Sequence, residues 1–300
     1  MNLDGFKVFC DLCDTGSFSR AAEASGITQS AVSQQIRAVE KRFGVPLLDR
    51  RKNGFSLTPE GLVYLEVSRD ILTRWDSLDS RFRMARGKLG GKLRVASVIS
   101  IALHDLPPLL KKFRKNHPGV EVTVDYRKAE EIYEAVGDGR ADLGLVAYPK
   151  ARPGLRAMTC WQEKLVLVMP PGHRLKGKKP LPLHQLDGER FVGLSPDIPT
   201  RRYLDKILRQ AAVKVSFVAE VENIETVKAA VEAEQALSII PETSVRQETR
   251  QGTLVTRPID AGRLWRPMGA VTRRPIPEKP SLLEFLSLLT PRARALFPLS

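Results

Sequence analysis

The segment ITQSAVSQQIRAVE, residues 27–40, carries amides and hydroxyls where surface helices usually carry Glu and Lys. At helical spacing Ser30, Ser33, Gln34, Arg37 and Lys41 share one face, with Thr28 and Gln29 at its start. Val32, Ile36, Val39 and Phe43 recur opposite at i, i+4, i+7 and i+11. Glutamine pairs with adenine through two hydrogen bonds, and serine donates or accepts. The polar face therefore has the chemistry that reads base edges in a DNA groove. A solvated helix surface is the plainer alternative.

The neighbouring residues supply what would position that face. Ser17 or Ser19 can cap a helix through SRAAEAS, Gly26 interrupts it, and Thr28 can cap a second helix from about residue 29 to 43. Helix, glycine turn, helix is the arrangement that lays a second helix in the major groove. LLDRRKNGFSLT then reads as two short strands around Asn53-Gly54, with Arg50, Arg51 and Lys52 leading into the tip. A basic hairpin in that place can hold phosphates or enter the minor groove.

Composition narrows the class. The chain has 300 residues and a net charge of +14, which suits a polyanionic partner. The surplus lies elsewhere, however. Residues 1–60 hold eight basic side chains against seven acidic ones, and most of the excess follows residue 91. Any DNA contact must rest on local placement. No apolar run approaches the roughly 18 residues of a membrane span. MNLDGFKVFC carries acids where a signal peptide would start basic, so a cytoplasmic protein without a membrane partner is expected. Three cysteines make no disulfide framework, and the four histidines show no metal-ligand spacing. Cys10 and Cys13 form a C-x-x-C with redox or metal potential, but Leu3, Phe6, Cys10 and Cys13 share a helical face, which favours burial. No nucleophile elbow, P-loop, H-E-x-x-H or dinucleotide fingerprint occurs, so no catalytic residue, cofactor or metal is assigned.

Residues 1–61 resemble the winged helix-turn-helix of LysR-type transcriptional regulators, over the ungapped run GSFSRAAEASGITQSAVSQQIRAVEKRFGVPLLDR followed by LTPEG. That family often has Pro where this chain has Ser30, and Arg where it has Gln34. Both departures bear on base preference. The resemblance implies DNA contacts from Thr28, Gln29, Ser30, Ser33, Gln34, Arg37, Arg50, Arg51 and Lys52.

Thr58-Pro59-Glu60 is a helix start, and the helix can run to about Arg86, about 40 Å at 1.5 Å per residue. Tyr64, Val67, Ile71, Trp75, Leu78, Phe82 and Ala85 form one apolar stripe along it. Such a stripe packs against the chain's own body or against the same helix of a second copy. The resemblance favours the second, as homodimer or homotetramer. GKLGG is expected to act as a hinge.

After residue 91 strands alternate with helices, which implies a parallel α/β sheet. The strands are KLRVAS, VEVTVDY, ADLGLVAY, KLVLVMP, RFVGLS, SFVAEV, ALSIIP and RPMGAVTRR. The expected fold is α/β overall: winged helix-turn-helix at 1–58, linker helix and hinge at 59–91, and a two-lobed, periplasmic-binding-protein-like effector domain at 92–300. Lobe I would hold about 92–165 and 268–300, and lobe II about 166–267. The family often has Gly-x-Gly where Glu234 and Ala236 stand here.

Ligands of open α/β sheets bind beyond the carboxyl ends of strands, often at helix N-termini. By position Ser97, Ser100, Arg127, Lys128, Thr200, Asn223 and Thr226 are the effector-site candidates, with plain capping and surface charge as the alternative for each. The basic excess favours an anionic effector, a carboxylate above all. The expected partners are duplex DNA bearing an interrupted inverted repeat, the small effector, and, as the resemblance allows, RNA polymerase. Three rivals are an enzyme, a secreted solute-binding protein, and an architectural DNA binder without an effector.

Overall fold

The computed structural model describes residues 3–51, 54–85, 89–262 and 264–289. Its N-terminal part packs three helices, α1 (Leu3–Thr15), α2 (Phe18–Ser25) and α3 (Gln29–Phe43), against a hairpin of β1 (Leu48–Arg51) and β2 (Gly54–Leu57). Ser17 caps α2, Gly26 ends it in the left-handed region at φ 67°, and Thr28 Oγ1 accepts from the Ala31 amide at 3.2 Å to start α3. Those caps fix the turn between the helices. Val32, Ile36 and Val39 then join Phe9, Leu12, Ala21, Leu47 and Leu48 in one core. Phe43, expected in that stripe, is instead exposed at the end of the helix's last turn.

The linker helix α4 (Pro59–Ala85) spans 27 residues. Thr58 Oγ1 accepts from the Gly61 amide at 3.0 Å. Gly61 is required at that entry because a Cβ there would lie 2.1 Å from the Leu47 carbonyl oxygen. Tyr64 and Leu65 close the N-terminal core, so Tyr64 leaves the stripe assigned to it. Val63, Val67, Trp75, Leu78 and Phe82 stay exposed along the helix. The Ala85 side chain lies outside the described residues. Arg69 pairs with Asp14 of α1 and, at 3.5 Å, with Asp138 of the following domain.

The C-terminal part starts with β3 (Gly90–Ser97). Gly90 and Gly91 pair with Gly119 and Val120 and so belong to the sheet. Of the expected GKLGG hinge, its last two glycines are thus strand, and residues 87 and 88 lie outside the described residues. After β3 come α5 (Ile99–His104), α6 (Leu106–Asn116), β4 (Gly119–Tyr126), α7 (Ala129–Gly137), β5 (Leu143–Ala147) and β6 (Leu155–Met169). Beyond β6 come β7 (Leu181–Pro182), β8 (Arg190–Leu194), α8 (Pro199–Gln210), β9 (Ser216–Val221), α9 (Ile224–Glu234), β10 (Ser238–Pro241) and α10 (Arg246–Gln251). The chain ends with β11 (Val255–Arg257), β12 (Ile259–Asp260), β13 (Trp265–Arg273) and α11 (Pro280–Leu289).

The strand order β10-β6-β13-β5-β3-β4 joins two lobes in one sheet. It is mixed, which corrects the all-parallel expectation. β3 runs parallel to β4 and β5, whereas β13 is antiparallel to β5 and β6. The 15-residue β6 pairs with β13 in its first part and with β10 and β11 in its last, so it spans both lobes. Separate cores lie on either side, one around Leu93, Phe113, Leu143 and Phe285, the other around Leu167, Leu186, Phe191 and Leu237. At the Glu234–Ala236 position α9 ends with Gln235 in the left-handed region, φ 50°; its backbone N–H donates to Val231 O and its side-chain Nε2 to Glu232 O at 2.6 Å.

A buried charge centre holds lobe I together. The fully buried Asp142 accepts from Arg94 Nη2 at 2.9 Å, from the Arg94 amide at 2.8 Å, and from Lys279 Nζ at 2.8 Å. Burial opposes its ionisation, but Arg94 and Lys279 outweigh that and hold the carboxyl below the usual range. The Asp142→Asn variant should therefore lose about 3–5 kcal/mol at neutral pH, since it strands the fully buried Lys279 and leaves the partly buried Arg94 without its carboxylate. Because the folded pKa is depressed, the wild-type advantage is present above the ordinary carboxylate pKa and fades as pH falls through the folded one. Urea unfolding across acid pH measures both.

Candidate functional site

On α3 the polar face is open: Thr28, Gln29, Ser30, Gln34 and Arg37 are exposed and Ser33 is half-buried. Two of these groups are already oriented. Ser19 Oγ donates to Gln29 Oε1 at 3.2 Å, and Thr28 Oγ1 and Ser30 Oγ share a hydrogen bond at 2.9 Å. Ser19 of α2 is thus a neighbour of the reading face that helical periodicity could not reveal, because it acts across the turn. Arg50 stands on β1, 5.7 Å from the Phe18 ring centroid and 4.0 Å from Glu40, with its side chain about half exposed. Arg51 is described as backbone only, and Lys52 lies outside the described residues.

The second candidate site is a cleft of about 570 Å³ between the lobes. It gathers the carboxyl ends of parallel strands: Val98–Ser100 after β3, Tyr126–Ala129 after β4, Asp197–Thr200 after β8 and Glu222–Ile224 after β9. This is the ligand position of open α/β sheets. Of the sequence candidates, Ser100, Arg127, Lys128, Thr200 and Asn223 line it. Ser97 and Thr226 do not. Ser97 is fully buried and its hydroxyl donates to Val98 O at 3.1 Å; Thr226 is bound to Asn223, whose side chain caps α9.

The two cations expected to draw an anion are also committed elsewhere. Arg127 pairs with Asp125 at 2.6 Å, and Lys128 reaches across the cleft to Glu222 at 3.1 Å. His104 of lobe I makes a second interlobe contact, 2.8 Å from Glu225 of lobe II. Four basic side chains, Arg127, Lys128, Arg202 and Arg266, line the cleft against the acids Glu130, Glu131, Asp197 and Glu222. The overall positive excess is therefore not focused here. A larger hollow, about 1020 Å³, lies between Leu155–Ala157 and Arg274–Pro277. None of its charged side chains is buried, so the cleft is the better ligand site.

Arg266 went unmarked in the sequence, and among the described residues it is the deeply buried cation of the cleft lining, 3% exposed. It stands on β13 directly opposite Glu163 on β6, with Nη1 3.6 Å from Glu163 Oε2. Its Nη2 donates to Ser100 Oγ at 2.7 Å, while Nε and Nη1 find no acceptor among the described residues. Burial depresses the Arg266 pKa, opposed by Glu163, Tyr148 and Asp105. The guanidinium remains charged. Burial and the nearby Glu163 push the Asp105 carboxyl up to about 7. Tyr148, next to them, is held at φ 52° and its ring meets Tyr203 of lobe II at 5.4 Å. Backbone alternation gives no warning of such a cluster, since its members come from four separate segments.

Comparison with known proteins identifies the architecture. Residues 3–62 match the family model for the bacterial regulatory helix-turn-helix protein, lysR family, and residues 86–294 match the LysR substrate binding domain. The chain belongs to the LysR family. It is a DNA-binding transcriptional regulator that responds to a ligand through its two-lobed C-terminal domain. Among relatives, the HTH-type transcriptional regulator CbbR of Rhodospirillum rubrum is 32% identical over 239 residues, 80% of this chain and 79% of that protein. Among solved structures, a full-length OxyR variant from Pseudomonas aeruginosa superimposes with a TM-score of 0.77 at 19% identity, covering 98% of this chain and 95% of that one. Full-length CbnR complexed with its target DNA gives a TM-score of 0.67 at 23% identity, over 98% of this chain and 100% of that one. An architectural DNA binder without an effector no longer fits.

The remaining nucleophiles of this LysR-family regulator are thiols. Burial pushes Cys10 and Cys13 up to about 12 and Cys160 up to about 11. Cys160 occupies the bulge where β6 slips against Met268 and Gly269 of β13. No group of three or more metal-binding side chains is assembled among the described residues. A C-x-x-C used for redox or metal work would need accessible thiolate. Native protein should therefore resist iodoacetamide near neutral pH at all three cysteines and take up label at each once unfolded, as read by mass spectrometry.

Proposed function

We propose that this regulator works as a homodimer or a dimer of dimers on an interrupted inverted repeat. Residues 1–58 would bind DNA, α4 would join the copies, and the domain beginning at Gly90 would bind the effector. The observation that carries the reading is the pairing of an open amide and hydroxyl face on α3 with an open apolar face on α4. Two-fold related recognition helices meet successive major grooves one or more helical turns apart. Gln29, Ser33 and Gln34, with Ser30 assisting, supply base discrimination. Thr28, Arg37, Arg50, Arg51 and Lys52 supply phosphate or minor-groove contacts. RNA polymerase is a further partner at promoters that the protein activates, and the protein acts in the cytoplasm without a catalytic step. No described helix is long and apolar enough to cross a membrane.

The effector we assign to the cleft is a small anion, a carboxylate above all. It binds one arrangement of the lobes better and shifts that equilibrium, and the shift reaches the DNA-binding heads through α4. The support is the buried Arg266 on the cleft wall rather than the paired Arg127 and Lys128.

Footprinting on the protein's own upstream region tests the DNA half, with an extended symmetric protection as the expected result. Trp75→Asp should convert the dimer to monomer by sedimentation and abolish that symmetric protection; a stable dimer would move the interface elsewhere. Gln34→Ala should cost about 1–3 kcal/mol on the best site and relax one base position. Arg37→Ala should weaken all sequences and reduce the salt slope by about one. Competition binding against single-base variants at several salt concentrations separates the two roles.

A further inference from the structure

Ser19 is the second residue of α2, but it does not cap that helix. Ser17 does so, by accepting from the Arg20 amide. The exposed Ser19 hydroxyl crosses the turn instead and donates to Gln29 Oε1 at 3.2 Å, ten residues further on. The turn that brings the two together is held by its own hydrogen bonds. The Gly26 amide donates to Glu23 O at 3.2 Å and the Ile27 amide to Ala22 O at 3.0 Å. Ala21 and Ala22 anchor α2 in the core, as Val32 and Ile36 anchor α3. Two exposed side chains thus meet on a fixed frame, at the start of the open polar face of α3.

A glutamine side chain ends in a carbonyl oxygen that accepts and an amino group with two hydrogens to donate. The torsion carrying this amide is broad and roughly two-fold, so a free glutamine offers either edge to a base. Donation from Ser19 engages Oε1 and draws it toward α2, which leaves the Nε2 hydrogens as the edge for the groove. Purines present acceptors there: N7 in both, and O6 beside it in guanine. Adenine N6 and cytosine N4 are donors and call for an oxygen instead. The opposite orientation, with Nε2 donating to the serine, would free Oε1 and reverse that choice.

We propose that Ser19 is a positioning residue for base recognition: it orients the Gln29 amide so that the amino group, and not the carbonyl oxygen, meets the base edge, at a purine acceptor. This rests on reading Gln29 as a base contact. Holding the side chain before DNA arrives also lowers the ordering cost that binding must meet. Ser19 itself touches no base in this arrangement and acts through Gln29.

The test is competition binding by the full-length protein on a duplex selected from a randomised pool, comparing wild type, S19A, S19T, Q29A and S19A/Q29A. The base pair at which Q29A loses its preference marks the Gln29 contact. There the acceptors are removed with 7-deazapurines (N7) and with 2-aminopurine in place of guanine (O6). The donors are removed with purine in place of adenine and 2-pyrimidinone in place of cytosine. Each loss is taken relative to Q29A on the same duplex, which cancels effects on the DNA itself. Removing an acceptor should weaken wild type and S19T about 2- to 10-fold, the worth of one hydrogen bond, and leave S19A nearly unchanged. S19A/Q29A should match Q29A, and S19A should unfold in urea at the wild-type midpoint, whereas loss of the Ser17 cap lowers it. A wild-type loss on removing a donor would overturn the orientation, and so would no loss on removing either acceptor. An S19A response equal to wild type would take Ser19 out of recognition while Gln29 kept its base. If Q29A shifts no base pair, the reading of Gln29 as a base contact fails, and this inference with it.

Discussion

Glu163 and Arg266 stand opposite each other on β6 and β13, the two strands by which the chain passes between its lobes. Taking charges out of water costs several kcal/mol per ion even after relaxation, and the return depends on good pairing. At 3.6 Å the pairing is loose, and two donors of Arg266 are left over. A hydrophobic pair would fill the same junction at less cost. The charged pair instead sets a buried, incompletely bonded cation on the cleft wall, at the connection between the lobes, where water screens it less than a surface charge.

The same logic explains how a change between lobes can reach the DNA. Lobe I is made rigid by Asp142, Arg94 and Lys279, which tie the start of α11 to β3 and to the loop before β5. The linker helix lies against this lobe, with Arg69 meeting Asp138 of lobe I on one side and Asp14 of the DNA-binding domain on the other. Arg273 of β13 approaches Asp70 on the same helix at 3.8 Å. Strand β13 therefore carries Arg266 at the cleft and Arg273, seven residues further along the same strand, at the linker. Rigid elements with contacts at both ends are what coupling between distant sites requires.

Much of this was legible in the sequence, for identifiable reasons. The caps Ser17 and Thr28, the glycine at 26 and the stripe Val32, Ile36, Val39 are local signals, and local signals set the helix-turn-helix. The long helix declared itself by its start at Thr58-Pro59. The first part of β6 was missed because LRAMTCWQEK mixes charged and apolar residues with no clean alternation; its pairing with β13 across the sheet decides its structure. Tyr64 and Phe43 were misplaced because a stripe says which residues share a face, not where the partner surface ends. The cleft was half legible. Strand ends pointed to Ser100, Thr200 and Asn223, which line it, but a cation buried within a strand has no sequence signature.

The distribution of charge has a physical lesson. A surplus of fourteen positive charges suggested attraction of anions at a distance, yet Arg127 and Lys128 at the cleft are each matched to an acid. Exposed charges in solvent are screened within about 8–10 Å at physiological salt, so distributed surplus contributes little to selecting a small ligand. Selection falls to the few groups removed from water, where an unmet hydrogen bond is costly and a met one is specific. Arg266 and Ser100 are such groups. Across the cleft mouth, Lys128 with Glu222 and His104 with Glu225 join the lobes through contacts that water can replace. Among the described residues the lobes thus meet through exposed pairs at the rim and through the loosely paired Glu163 and Arg266 on the strands that join them.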